Sequence, residues 1–151
     1  MALPEATSGL LESSWMAVNR SISAARLRTT SVLVGGAAGA LARAGVAEAL
    51  PQHGAQWPWS TFTVNMAGTL LLAWLTTRLA EHVAPTRYWR SLIGTGFCGA
   101  LTTFSTFQIE TIRLTEEGRP AVALGYAAAS LALGIACAIG GTLVARRRRY
   151  G

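Results

Sequence analysis

Residues 94–110 read GTGFCGALTTFSTFQIE, and all but the last of them, Glu110, lie in an uncharged run, 91–109, that is long enough to cross a bilayer. This stretch is a poor continuous helix, because its glycines weaken it and its hydroxyl side chains compete for backbone hydrogen bonds. Those residues are Gly94, Gly96, Gly99, Thr102, Thr103, Ser105 and Thr106. In lipid, an interrupted backbone is tolerated only where it is buried in protein or lines a wet cavity. The stretch therefore predicts a transmembrane helix that is broken near residues 99–103 and builds a site there.

The composition of the whole chain is typical of a membrane protein. Of the 151 residues, 51% are hydrophobic and 13% are charged, whereas a typical soluble domain has about 25% charged residues. Apolar runs near 30–50, 59–80, 91–109 and 120–145 predict an all-α domain of four transmembrane helices, spanning 30–145, with the third helix broken in the middle. One copy of this size is too small to enclose a pore, so we expect an oligomer.

Both ends of the chain are more polar than this domain. Residues 1–29 form a polar N-terminal extension in which Leu11, Trp15, Val18 and Ile22 recur at helical spacing. This pattern fits a short amphipathic helix on the membrane surface, and a disordered tail is the alternative. Residues 146–151 form a basic C-terminal tail.

The distribution of arginine predicts the orientation of the chain in a membrane. All 13 basic residues are arginine, and four spans place both termini on one side. Ten arginines fall on that side, two fall on the other, and Arg43 lies within the first span. The ten are Arg20, Arg26, Arg28, Arg78, Arg87, Arg90, Arg146, Arg147, Arg148 and Arg149, and the two are Arg113 and Arg119. Because positive residues near span ends favour the cytosol, we expect a multi-pass plasma-membrane protein with both termini cytosolic.

Several polar or aromatic residues inside the spans are candidates for a site. Phe104 and Phe107 share one helical face, which favours either an exposed functional pair or packing against lipid and core. Asn65 is the only amide in the second span, and it can either join helices or line a path. Arg43 can snorkel to the membrane surface or attract an anion in a vestibule.

The central stretch resembles the signature of the small bacterial fluoride channels of the CrcB/Fluc family. The matching part is GFCGALTTFSTFQIE, and it combines a glycine-rich break, a Thr-Thr pair and two spaced phenylalanines. Further marks of that family follow its order: GGAAGALAR at 35–43, TFTVN at 61–65, and Tyr126, Ser130 and Gly134 in the last apolar run. The resemblance covers residues 32–144.

The resemblance implies a function, an assembly and an ion site. It implies a fluoride-selective channel that exports fluoride passively and lowers fluoride toxicity, built as an antiparallel dimer with two fluoride paths at its interface. It also implies a structural sodium ion (Na+) on the dimer axis, held by the main-chain carbonyls of Gly99 and Thr102. The fluoride path would include Phe104, Phe107, Asn65, Ser130, Thr106, Tyr126, Thr61, Arg43 and Glu110. Gly134 is a departure, because the family often has a serine at this position.

The chemistry of fluoride fits these residue types. A small anion that holds its water tightly needs close contacts that replace that water. The hydroxyl and amide groups of Asn65, Thr106 and Ser130 are hydrogen-bond donors. The edges of Phe104 and Phe107 are electropositive and attract an anion without gripping it as a lysine would.

Two other classes of membrane protein are alternatives, and an enzyme is not expected. The sequence has no phosphate loop, zinc pattern, nucleophile elbow or carboxylate pair. A small multidrug-type proton-coupled transporter would use a glutamate in the centre of its first helix, whereas Glu48 lies at the end of span one. A non-transporting membrane subunit would carry no ion flux. The net positive charge of the chain is explained by arginines beside the membrane spans, so no nucleic-acid partner is expected.

Overall fold

The computed structural model describes residues 5–52, 54, 56–81 and 86–147, and this part of the chain contains helices and connecting turns without strands. Helix α1 covers Glu5–Ala49 and α2 covers Trp59–Glu81. Helix α3 is the single turn Thr86–Trp89, and it leads into a π-helical segment, Arg90–Cys98, and then into α4, Gly99–Leu101. Helix α5 covers Phe104–Glu116 and α6 covers Pro120–Arg147. The expectation of an all-helical fold is confirmed.

Helix α1 continues through the boundary that the sequence places at residue 29. Its 45 residues extend over about 67 Å at 1.5 Å per residue, which is more than twice the roughly 30 Å of a hydrocarbon core. Trp15 is 72% exposed and Leu27 is 59% exposed, so this half of the helix is not packed against the bundle. The described part of the N-terminal extension is therefore the first half of one long helix, while residues 1–4 lie outside the described residues.

The turn between α5 and α6 has clear local causes. Gly118 adopts a φ of 75°, which strongly favours glycine. The Arg119 amide donates to the Leu114 carbonyl at 2.9 Å and the Gly118 amide donates to the Thr115 carbonyl at 3.1 Å. These bonds close the C-terminus of α5 in a Schellman-like turn. Pro120 then occupies the first position of α6, where its missing N–H is not needed.

Glycines on two neighbouring segments allow the backbones of α1 and the π-helical segment to touch. A Cβ atom on Gly35 would collide with the Leu92 carbonyl, and one on Gly39 would collide with the Phe97 carbonyl. A Cβ atom on Gly96 would lie 2.7 Å from the Val32 carbonyl. Such a close approach of two backbones is typical of small residues four positions apart in packed membrane helices. Gly35 contacts Leu92, and Gly39, one turn later, contacts Phe97. The contacts proceed in the same chain direction along both segments, so the two segments run parallel.

Helices α2 and α6 form the second parallel pair. Gly125 faces Trp57, Gly134 faces Met66, and Gly141 approaches the Leu70 backbone so closely that a Cβ atom would lie 2.5 Å from its carbonyl oxygen. The contacts thus advance together along both helices. Helix α5 runs antiparallel to both, since Glu110 contacts Thr61 and Tyr126 while Asn65 contacts Thr103. The start of α1 and the end of α6 consequently lie at the same end of the bundle.

Two described helices are long and apolar enough to cross a membrane. They are α1 over Ser14–Ala49 and α6 over Pro120–Arg147. Helix α6 continues to Arg147, so the first two residues of the expected basic tail belong to the helix, and residues 148–151 lie outside the described part. Many large apolar side chains on these helices are exposed, including Leu41, Leu124 and Leu131. Such a surface is suited to lipid or to another subunit.

Candidate functional site

The backbone leaves helical geometry at Thr102 and Thr103, between α4 and α5. Thr102 has φ −82° and ψ 152°, and Thr103 has φ −147° and ψ 124°, so both residues are extended. The interruption is tied to α2 by one side chain. Asn65 Nδ2 donates to the Thr103 carbonyl at 3.0 Å, and the Thr103 amide donates to Asn65 Oδ1 at 2.9 Å. A single amide side chain thus binds both polar groups of the Thr103 backbone.

Thr103 also caps the helix that follows it. The Thr106 amide donates to Thr103 Oγ1 at 3.2 Å, which is the N-cap bond of α5. Thr103 Oγ1 in turn donates to Thr106 Oγ1 at 3.0 Å. Thr103 is buried, with 9% of its surface exposed. The hydroxyl and the backbone of this one residue therefore determine where α5 begins and how it is held against α2.

At the interruption, the carbonyls of Gly99 and Thr102, which the family resemblance implies as sodium ligands, lose their helical donors. In a continuous α-helix the Thr103 amide would donate to the Gly99 carbonyl, and the Thr106 amide would donate to the Thr102 carbonyl. Here the first amide donates to Asn65 Oδ1 and the second to Thr103 Oγ1. The oxygens of Gly99 and Thr102 are thereby available to another ligand, and Gly99 lies on the exposed side of α4. The chemistry of these atoms fits a hard cation.

A cavity of about 520 Å³ lies on one side of the interruption. Among the path residues expected from the sequence, it is lined by Asn65, Phe104, Phe107 and Ser130, and Gly134 also faces it. Its walls come from α2, the interrupted segment, α5 and α6. The walls are mainly apolar, with a few polar side chains that converge on the same space. This combination is typical of a small-ligand site.

The two phenylalanine rings of this cavity stack on each other. Their centroids are 5.8 Å apart and the ring planes differ by 24°. Phe104 is 70% exposed, whereas Phe107 is half-buried and packs against Tyr126 with a centroid distance of 5.1 Å. The expected shared face is therefore present, and the two rings differ in how firmly they are held.

A second cavity, of about 390 Å³, lies on the other side of Thr103. It is lined by Arg43 from α1, by Thr61 from α2, and by Thr106 and Glu110 from α5. Arg43 is half-buried and Glu110 is buried, with 7% of its surface exposed. Thr103 lines both cavities, so the interruption separates them. Except for Tyr126, the path residues expected from the sequence are thus divided between two neighbouring spaces.

The Glu110 carboxylate accepts a hydrogen bond at each oxygen. Thr61 Oγ1 donates to Oε1 at 2.7 Å, and the Tyr126 hydroxyl donates to Oε2 at 2.9 Å. Thr61 and Tyr126 are the donors in these two bonds, so both hydroxyl protons are directed to Glu110. Tyr126 is completely buried and is packed by Trp57, Phe62 and Phe107. In this arrangement Thr61 and Tyr126 hold Glu110, and Tyr126 lines neither described cavity.

Two features of the site were missed by the sequence analysis. The first is Thr103, which appeared there only as one of several helix-weakening hydroxyls, although its backbone carries the link to Asn65. The second is the aromatic group around Tyr126, in which the Trp57 and Tyr126 centroids are 5.5 Å apart. Trp57 and Trp59 at the start of the second apolar run are typical of a membrane interface, but that pattern does not reveal a partner on α6.

No group of three His, Cys, Asp or Glu side chains in the described ranges could hold a metal ion. A cation at the interruption would depend on main-chain oxygens.

Comparison with known proteins identifies the family. The family described as CrcB-like protein, Camphor Resistance (CrcB), matches residues 30–142. The chain is 46% identical over 119 residues to fluoride-specific ion channel FluC 1 of Mycobacterium bovis, covering 79% of this chain and 90% of that protein. It is 42% identical over 117 residues to fluoride-specific ion channel FluC of Acidobacterium capsulatum, covering 77% of this chain and 94% of the relative. A similar protein from Caulobacter sp. is 43% identical over 119 residues. The chain belongs to the CrcB family.

Proposed function

We propose that this protein is a fluoride-selective channel that lets fluoride leave the cytoplasm passively. The observation that carries the proposal is the cavity beside the interruption, in which Asn65, Phe104, Phe107 and Ser130 meet. Membership of the CrcB family and the similarity to proteins named fluoride-specific ion channels support the same function. Conduction down a gradient requires binding, orientation and dehydration of the ion, and it requires no catalysis.

In this proposal the first cavity replaces the water around the ion. Asn65 uses one N–H to bind the Thr103 carbonyl, and its amide group has a second N–H to offer. The Ser130 hydroxyl lines the same cavity and donates to no acceptor among the described residues. The electropositive edges of Phe104 and Phe107 add weak contacts, which favour entry without preventing exit.

The second cavity serves as a vestibule that attracts anions. Arg43 supplies positive charge in a partly enclosed space, and such charge raises the local concentration of an anion. Glu110 lines the same space. Thr61 and Tyr126 act through Glu110, because their hydroxyl protons are donated to it. Thr106 provides a hydroxyl next to the interruption, which lies between the two cavities.

The proposed assembly is an antiparallel dimer with a structural sodium ion between the subunits. Gly99 and Thr102 would hold the ion through main-chain oxygens that lack their helical donors. An interruption stabilised by a cation in this way would form part of the third membrane crossing, made by α3, the π-helical segment, α4 and α5. The exposed apolar side chains of Phe104, Ile109 and Ile112 on α5 are suited to contact a second subunit.

The proposed location is the bacterial plasma membrane, which is the inner membrane where there are two, with both termini in the cytosol. The shared end of α1 and α6 and the excess of arginine around it support this orientation. Fluoride that enters as the neutral acid and ionises in the cytoplasm would then leave through the channel.

The test is fluoride efflux from liposomes that contain the purified protein, with chloride efflux as the control. Fluoride efflux without chloride efflux is expected. Proton-coupled uptake of lipophilic cations would instead support a small multidrug-type transporter, although Glu48 lies exposed in the last turn of α1. The absence of any ion flux would support a non-transporting subunit.

A further inference from the structure

We propose that Thr69, on α2, is a third hydrogen-bond donor to the anion, one helical turn beyond Asn65. The inference rests on the proposed fluoride function and deepens it. Thr69 lines the same cavity as Asn65 and Ser130, and it is half-buried. Residues four apart on a helix lie on one face, so Thr69 follows Asn65 along a single wall. The parallel packing of α2 and α6 directs this wall toward the end of the bundle that carries Arg147.

The hydroxyl of Thr69 differs from most threonine hydroxyls on these helices. Thr76, Thr77 and Thr142 each donate to the carbonyl four residues earlier, at 2.8 to 2.9 Å. Such a bond commits the hydroxyl proton to the helix itself. Thr69 makes no hydrogen bond to another described residue. Its donor is therefore free to bind a ligand in the cavity that it lines.

The other polar groups beyond Asn65 in this cavity are already in use. Thr102 Oγ1 donates to the Cys98 carbonyl at 3.0 Å. Thr103 Oγ1 donates to Thr106 Oγ1. Gly134, on the opposite wall, has no side chain to offer. On this side of Asn65, Thr69 carries the one uncommitted hydroxyl proton among the described residues that line the cavity.

The three donors consequently follow one another along the cavity. The register in which Trp57 faces Gly125 and Met66 faces Gly134 places Ser130 one turn before Gly134. Asn65 lies near the level of Gly134, and Thr69 lies one turn further. A small anion that gives up its water needs successive contacts at short spacing, each weak enough to release it. Ser130, Asn65 and Thr69 provide such a succession.

The first test compares Thr69→Val with Thr69→Ser in fluoride efflux from liposomes. Valine keeps the volume of threonine and removes the hydroxyl, so flux is expected to fall by about tenfold or more, as for loss of one hydrogen bond to a charged group. Serine keeps the hydroxyl and is expected to retain most of the flux. Thr77→Val is the matched control, because Thr77 is also half-buried on α2 but donates to the Ala73 carbonyl.

The second test restores the hydroxyl from the opposite wall. A Cβ atom on Gly134 would meet the Met66 methyl at 3.8 Å, which is an ordinary contact, so serine fits there. Gly134→Ser is expected to recover flux in the Thr69→Val background. If the valine variant does not assemble, Thr69→Ala provides the same comparison with a good helix former.

The outcomes separate this inference from the function on which it rests. Wild-type efflux together with an unchanged Thr69→Val variant would overturn the role of Thr69 and leave the channel proposal intact. Equal loss in the valine and serine variants, without recovery by Gly134→Ser, would show that packing rather than the hydroxyl matters. A wild-type protein without fluoride flux would refute both proposals.

Discussion

The side-chain amide of Asn65 binds both the carbonyl and the amide of Thr103, at 3.0 and 2.9 Å. The bond from the Thr103 amide replaces the one that this amide would donate to the Gly99 carbonyl in a continuous helix. It also explains why α2 and α5 stay in register at the boundary between the two cavities. Asn65 thus has a structural task in addition to its proposed contact with fluoride.

Replacing Asn65 is therefore expected to affect stability and flux together. Asn65→Leu leaves the Thr103 amide without its acceptor, at a cost of roughly 1–3 kcal/mol for a buried unsatisfied group, and it also removes the side-chain donor to the Thr103 carbonyl. Asn65→Asp keeps an acceptor for the Thr103 amide and should cost less. Thermal unfolding in detergent and liposome flux are the measurements. Asn19→Leu, on the exposed part of α1, is the control amide. Wild-type stability of Asn65→Leu would contradict the structural task.

Replacing Phe104 and replacing Phe107 should have different effects on protein stability but similar effects on fluoride flux. Phe104→Ile and Phe107→Ile each remove an electropositive ring edge from the cavity, so both should strongly reduce fluoride efflux. Phe107→Ile also loses the packing of the Phe107 ring on Tyr126. Its free energy of unfolding should fall by about 0.5–1.5 kcal/mol beyond the loss expected from the smaller buried area. Phe104 is 70% exposed, so its replacement should leave the unfolding temperature nearly unchanged.

Phe62→Ile is the matched aromatic control for this pair. Phe62 packs near Tyr126, with centroids 6.4 Å apart, but does not line the first cavity. Its replacement should lower stability and preserve flux through the protein that remains assembled. Normal fluoride flux in both the Phe104 and the Phe107 variants would remove the rings from the ion path.

Thr61 and Tyr126 are expected to act as a coupled pair through Glu110. Thr61→Val and Tyr126→Phe each remove one donor from a buried carboxylate, and each should cost roughly 1–3 kcal/mol. The double variant should depart from additivity by about 0.5–3 kcal/mol, because both changes act on the same group. The measurement is a double-mutant cycle of thermal stability, repeated in the Glu110→Gln background, where the coupling should shrink.

Tyr88→Phe is the control for this cycle, because Tyr88 is 43% exposed on α3 and lies away from Glu110 in the chain. Strict additivity of Thr61→Val and Tyr126→Phe would show that the two hydroxyls do not share the carboxylate.

The backbone contact between α1 and the π-helical segment gives a prediction that does not depend on function. Gly35→Ala places a methyl group against the Leu92 carbonyl, so the helices must separate and stability should fall by about 1–3 kcal/mol. The neighbouring Gly36→Ala meets nothing nearer than the Gly96 carbonyl at 4.0 Å and should be neutral or slightly stabilising. Thermal unfolding of the two variants is the measurement, and equal effects would mean that the close contact is absent.

Sequence and structure agree where local chemistry decides the outcome. The apolar runs predicted helices, and Phe104 and Phe107 predicted a shared face. The sequence could not show that Asn65 binds Thr103, because that pairing joins residues 38 positions apart. It could not assign the protons of Thr61 and Tyr126 either, since their acceptor, Glu110, lies on another helix. Such long-range partners depend on the register between helices, which a single sequence leaves open.

The last prediction concerns the orientation of the chain and its partner. The start of α1 and the end of α6 lie at the same end of the bundle, and the sequence predicts ten arginines on that side of the membrane against two on the other. This excess predicts one fixed orientation with cytosolic termini, whereas an antiparallel homodimer needs half of its copies inverted. We therefore expect the natural partner to be a homologous subunit with the opposite arginine bias. The alternative is that membrane insertion tolerates the terminal charges and homodimers form.

Reporters that are active on only one side of the membrane, fused to the C-terminus, measure this orientation. A signal confined to the cytosolic reporter is expected, and fluoride flux should require co-expression of a partner with inverted bias. Arg113→Gln with Arg119→Gln is the control and should leave the orientation unchanged, because it increases the existing asymmetry. Replacing basic residues on the side of the termini, such as Arg146 and Arg147, should make the signals of the cytosolic and the external reporter more nearly equal. Equal signals from both sides for the unaltered chain, with fluoride flux from that chain alone, would establish the homodimer and defeat the heterodimer prediction.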